Sequence, residues 1–131
     1  MAIEGLNHYN IIAPSQLMAE VREFYITIVG LEEGYRPDFG VPGHWLYAGD
    51  SPVLHLMDAN AMQQKGNPSG ETGTGNLDHI AFNASDLSAT EAKLIDQGQD
   101  YRKSEYPNFN LTQLFLRDPI GLGVELNFST S

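Results

Sequence analysis

The chain repeats itself, and the repeat restricts its fold more than any other feature. His8 and His79 lie 71 residues apart, His55 and Glu125 lie 70 apart, and Trp45/Phe115, Leu46/Leu116 and Leu56/Leu126 also pair at 70. The same order of elements surrounds each member. In the first half, a strand-like run at 6 to 13 precedes "PSQLMAEVREFYITIVG", where Leu17, Val21, Phe24, Tyr25 and Ile28 recur at helical spacing. Ser15 is the expected N-cap and Gly30 the stop. "LEEGYRPD", "HWLYAG" and "PVLHLMD" then read as three short strands, with "GDSP" a tight turn between the last two. In the second half "LDHIAFNA" predicts a strand and "DLSATEAKLIDQG" a helix that Asp86 or Ser88 opens and Gly98 stops. "DYRKSEY", "LTQLFLRD" and "LGVELNF" follow as strands, the last two joined by the turn "DPIG".

Between the halves, residues 59–76, "ANAMQQKGNPSGETGTGN", are polar and rich in Gly, Ser and Asn, which reads as a linker. At 131 residues the chain suits one domain, 1–131, made of two βαβββ repeats at about 5–58 and 76–128. The expected fold class is α+β.

Strand alternation gives the repeated residues a direction. Leu54 and Leu56 flank His55, and Val124 and Leu126 flank Glu125, so these neighbours can pack beneath the helices while His55 and Glu125 face the other way. His8 and His79, each placed near the middle of the first strand of its half, can face the same side. If a pseudo-twofold axis relates the halves, four nitrogen and oxygen ligands converge, which describes a metal site. Taken singly, a histidine or glutamate on an apolar strand is more often a hydrogen-bonded core or rim residue. Four at repeat-related positions favour the metal. His44 falls outside the set and reads as a surface or supporting residue; Trp45, Tyr47 and Phe115 are candidates to line a pocket or simply to pack the sheet.

Composition removes other classes. Seven Lys and Arg against seventeen Asp and Glu give a formal charge of −10 without a basic cluster, which argues against nucleic acid and anionic membrane as partners. No apolar stretch approaches the ~20 residues of a membrane span, and the N-terminus lacks the pattern of a signal peptide, so the expected location is cytoplasmic. With no cysteine, disulfides, thiolate metal sites and thiol nucleophiles are excluded.

The duplicated order, with "LNHYNI", "VLHLMD", "LDHIAF" and "RDPIGLGVELNF", resembles the vicinal oxygen chelate superfamily of glyoxalase I, extradiol dioxygenases, fosfomycin-resistance proteins and bleomycin-resistance proteins. The resemblance covers essentially the whole chain and implies a curved, barrel-like mixed sheet around a metal cleft. Carried over position by position, it implies His8, His55, His79 and Glu125 as ligands of a divalent ion (Fe, Mn, Ni, Zn or Co), and Glu125 as the catalytic base. It further implies a homodimer and a small-molecule substrate held through vicinal oxygens with stabilisation of an enolate or oxyanion, Trp45, Tyr47, Phe115 and Arg117 being candidates to contact it.

Departures from the family pattern narrow the reaction. His55 stands where glyoxalase I usually has Glu. Phe115 stands where extradiol dioxygenases have Tyr, and no histidine lies between His79 and Glu125. Arg117 and Lys103 are available to hold a phosphonate but do not cluster with other cations. Isomerase- or lyase-type proton transfer is therefore favoured over ring cleavage; the alternative is a metal-free small-molecule binder of the bleomycin-resistance kind.

Overall fold

The structure, a computed structural model, describes residues 2–60 and 74–129. The chain divides into two compact units on either side of residue 72. In the first, β1 (Tyr9–Ala13) leads into α1 (Ser15–Glu23) and a π-helical turn (Phe24–Val29), followed by β2 (Glu32–Gly34), β3 (Gly43–Ala48) and β4 (Ser51–Asp58). In the second, β5 (His79–Ala84) leads into α2 (Leu87–Asp96), then β6 (Arg102–Tyr106), a 3-10 turn (Pro107–Phe109), β7 (Leu111–Arg117) and β8 (Gly123–Ser129). Both units therefore have the β-α-β-β-β order expected from the repeat.

Each unit forms its own four-stranded mixed sheet, ordered β1-β4-β3-β2 and β5-β8-β7-β6. The α+β class of two tandem modules is as expected, and the two sheets are not closed into a barrel. In each repeat the first strand pairs in parallel with the last, and the remaining pairings are antiparallel, so among the described residues each sheet ends in two edge strands.

Alternation along the last strands divides each sheet into two faces. In the first unit Ile11, Leu46, Leu54 and Leu56 turn toward the helix, where Met18, Val21, Phe24, Tyr25 and Ile28 are buried. Full burial of each such side chain contributes about 1.5–3 kcal/mol. In the second unit Leu114, Leu116, Val124, Leu126 and Phe128 are buried, as is Leu94 of α2. Odd-numbered neighbours on β7 and β8, Gln113, Phe115 and Glu125, take the opposite face.

Helix ends follow the sequence in part. Asp86 caps α2, its carboxylate accepting from the Ala89 N–H at 3.2 Å. Gly30 ends the first helical segment at φ 96°, a left-handed conformation that suits glycine. Ser15, however, is already the first helical residue: its hydroxyl donates to Asp58 at 2.6 Å and its N–H donates to the Asn60 side chain at 2.9 Å. The cap comes from Asn60, 45 residues on, which local patterning could not reveal. Of the expected linker, Ala59 and Asn60 are helical, and 61–73 lie outside the described residues.

Candidate metal-binding faces

On the first sheet, His55 sits in the middle of β4 with Asn10 and Trp45 as its paired neighbours. Its ring lies between two others: Trp45 stacks at 4.1 Å and 8°, and His8 at 3.7 Å and 16°. His8 just precedes β1 rather than lying in mid-strand as expected.

His55 Nε2 donates to the Pro52 carbonyl at 3.1 Å, which leaves the Nδ1 lone pair available. His8 Nδ1 bonds the Asn7 side-chain oxygen at 2.7 Å and leaves Nε2 available. Burial, then the neighbouring His8 and Arg36, hold the His55 pKa below its ordinary value, with the Pro52 bond opposing them. His55 therefore keeps a lone pair further into acid than a solvated histidine. The rings are stacked, however, so their lone pairs lie in near-parallel planes 3.7 Å apart, and aiming both at one ion calls for a turn of the exposed His8 side chain.

The other first-unit candidates are engaged differently. Tyr47 donates its hydroxyl to the Tyr35 carbonyl at 2.6 Å and its ring covers Gly34, where a Cβ would stand 2.8 Å from the ring. Tyr47 thus braces the β2–β3 pair. His44 bonds Glu33, which also pairs with Arg22 of α1, and so stands apart from His55 as expected.

On the second sheet, His79 opens β5, another departure from its expected mid-strand place, and Glu125 lies in the middle of β8. His79 Nε2 stands 3.7 Å from Glu125 Oε1. The remaining polar atom of each is already held: Asp78 accepts from His79 Nδ1 at 2.9 Å, and Gln113 donates to Glu125 Oε2 at 3.0 Å while also donating to Asn127. Because a carboxylate only accepts, Nδ1 carries a proton, and Nε2 is the ring atom that faces Glu125. The Asp78 pKa is lowered, mainly by this bond, with the Arg117 charge adding to it.

Two ligand atoms each ~2.1 Å from one ion stand roughly 3–3.5 Å apart, so this pair is close to a chelating separation. Glu125 is only 9% exposed, and a buried carboxylate needs partners of this kind. Within each unit, the described residues provide a pair of ligands rather than a set of three. The donor set suits a borderline or hard divalent ion, with the second pair preorganised and the first requiring rotation.

Close backbone approach sets the His79 position. Gly123 pairs with His79, and a Cβ on it would meet the Asp78 carbonyl and His79 Cβ at 2.8 Å each. Gly123 also floors a cavity of about 590 Å³ lined by His79, Asp78, Tyr101, Arg102, Phe115 and Arg117, among others. Two of the pocket candidates, Phe115 and Arg117, thus share a cavity with His79. Asp78 and Gln113 were absent from the sequence-derived set. Asp78 directly precedes His79 in "LDHI", and Gln113 lies two residues before Phe115 on the same face; those positions were the available signals.

No family model matches the chain. Among curated proteins, the glyoxylase I 4 protein of Arabidopsis thaliana is 28% identical over 127 residues, covering 95% of this chain and 70% of that one. A glyoxalase family protein from Bacillus anthracis superposes with a TM-score of 0.72 at 22% identity, over 98% of both chains. Lactoylglutathione lyase from Agrobacterium tumefaciens superposes with a TM-score of 0.67 at 18% identity, over 99% of this chain and 97% of that one. In sequence and in its tandem βαβββ fold, the chain resembles the glyoxalase, bleomycin-resistance and dioxygenase proteins of the vicinal oxygen chelate superfamily.

Proposed function

We propose that the protein is a divalent-metal-dependent enzyme of the glyoxalase type that moves a proton within a small substrate bearing adjacent oxygens. The observation that carries this reading is the His79–Glu125 pair, 3.7 Å apart with Asp78 and Gln113 orienting it from behind. His8 and His55 are proposed to complete the ligand set by their repeat-related positions. The similarity to glyoxalase proteins supports the same chemistry.

A divalent ion bound there would supply Lewis acidity toward the substrate oxygens. The chain's own residues do the rest. Asp78 fixes the His79 tautomer, and Gln113 holds one oxygen of Glu125 so that Oε1 is the one left to act. In this reading Oε1 takes a proton from carbon beside a carbonyl and returns it to the adjacent carbon. Burial of Glu125 limits its exchange with water, which keeps the proton on the substrate's path.

Glu125→Gln tests the base directly: its metal content by elemental analysis should fall, because an amide replaces a carboxylate of the pair, and turnover of dicarbonyl adducts per bound ion should fall at least ~100-fold. Undiminished turnover would remove Glu125 from the role. The stack of His8, His55 and Trp45 supports a second reading, a metal-free binder that uses the flat aromatic surface. Wild-type protein that takes up no Mn, Fe, Co, Ni or Zn after reconstitution would favour it. A homodimer is part of the proposal, because among the described residues each sheet ends in two edge strands to be covered. Sedimentation at about twice 14.4 kDa is expected.

A further inference from the structure

The second-unit cavity contains an uneven distribution of charge partners. Arg22 and Lys103 are neutralised by Glu33 and by Glu91 and Glu105. Arg102 and Arg117, which line the cavity, have no carboxylate within ion-pair distance among the described residues. Arg36 and Lys93 lack one as well, so what distinguishes Arg102 and Arg117 is that both line the same cavity. Arg117 gives one N–H to the Gly121 carbonyl at 3.0 Å, and Arg102 gives one to Ser104 at a long 3.3 Å. Most of their donors are therefore free.

The sheet register aligns both with the candidate ligands. Arg117, Gly123 and His79 are paired across three neighbouring strands, and Arg102, Phe115 and Glu125 across another three. With strands ~4.8 Å apart, the Arg117 and His79 backbones are roughly 10 Å apart, and glycine leaves the space between them open. The Arg102 guanidinium lies over the Phe115 ring at 4.3 Å, which restrains the plane of its fork without using its N–H groups. Two carboxylates also line the cavity: Asp78, committed to His79, and Asp100.

We infer that Arg102 and Arg117 form an anion-recognising subsite, so that the substrate carries a carboxylate or phosphate separated from its vicinal oxygens by a short, flat or apolar spacer. The anion seats on the two guanidinium groups, the spacer crosses Gly123 beside Phe115, and the oxygens reach His79 and Glu125. The substrate class rests on the proposed function; the anion subsite itself does not depend on a metal.

The test uses 3-(3,4-dihydroxyphenyl)propionate and its neutral carboxamide, titrated calorimetrically into full-length protein with and without Mn²⁺. In metal-free wild type the acid should bind at least about tenfold tighter than the amide, and Arg102→Gln/Arg117→Gln should reduce that preference below about twofold without weakening the amide. Inorganic phosphate should compete with the acid and not with the amide. Equal binding of acid and amide by wild type, or a preference that survives in the double variant, would overturn the subsite. Comparing the wild-type pair requires no variant to fold. Failure of Mn²⁺ to strengthen either compound, with the acid preference intact, would instead sink the metal reading while leaving the subsite in place.

Discussion

The two repeats share a backbone plan but differ in the surroundings of their candidate ligands. His55 and Glu125 occupy equivalent places on the last strand, each between two buried apolar residues, yet His55 is clasped between aromatic rings while Glu125 is held by Gln113. Seventy positions before Gly123, which leaves a notch, stands Val53. The repeats are thus alike in the helix-facing layer, where packing restricts residue type, and differ on the opposite faces. The second face is the preorganised one: its histidine and carboxylate already have outer partners, whereas the first offers a stack that must open to coordinate.

The largest effects should be those the repeats share. Leu56→Ala and Leu126→Ala, equivalent and buried, should each cost about 2–5 kcal/mol in denaturant unfolding. A near-neutral result at either one would break the equivalence of the two packed faces. Gly123→Ala should cost about 1–3 kcal/mol and displace His79, because its new methyl meets the Asp78 carbonyl. Val53→Ala should leave the His79 resonances of an NMR spectrum unchanged, and a matching shift there would remove the asymmetry.

Smaller still is Asp78→Asn. Losing the carboxylate behind His79 should weaken divalent-metal affinity about tenfold, at the lower end for such outer partners. Asn7→Ala, behind His8, should change it less than about threefold, because a neutral amide adds less basicity to its imidazole. Competition with a fluorescent chelator measures both. An equal loss in the two variants would contradict the claim that only the second face is preorganised.

The mildest effect is on acid stability. Burial pushes the Glu33 carboxyl up, but its bonds to His44 and Arg22 outweigh this and hold its pKa below the ordinary value. A depressed carboxylate stabilises the fold above its unfolded pKa, and that contribution is lost as pH falls through the folded value. Glu33→Gln should therefore lower Tm slightly at neutral pH and converge with wild type in the acid range below about 4. His55, whose pKa is depressed too, contributes in the same sense, its share being lost as pH falls below its ordinary value of about 6.5. A constant Tm gap for Glu33→Gln across the whole range would contradict this assignment.

Much of this architecture was legible in the sequence because repeat spacing and strand alternation are local signals. Leu54/His55/Leu56 and Val124/Glu125/Leu126 announced which residues face the helix, and the structure buries those leucines and the valine. What could not be read depended on contacts distant in sequence. Asn60 capping α1, Gln113 reaching both Glu125 and Asn127, and Arg102 lying on Phe115 all follow from strand register. Separate sheets also escaped the reading, since strand-like runs do not reveal which strands form the edges. The π-helical turn at Phe24–Val29 was equally hidden, because its apolar spacing resembles that of an ordinary helix.

Whether the second face holds the ion is decided by the dissociation constant of Mn²⁺, measured by calorimetry on His79→Ala and His55→Ala beside wild type. His79→Ala should weaken binding by more than ~100-fold, whereas His55→Ala, which leaves the preorganised pair untouched, should weaken it by no more than ~10-fold. Equal losses, or a greater loss from His55→Ala, would contradict a division of labour between the faces; unchanged binding in both would contradict a metal site at these residues.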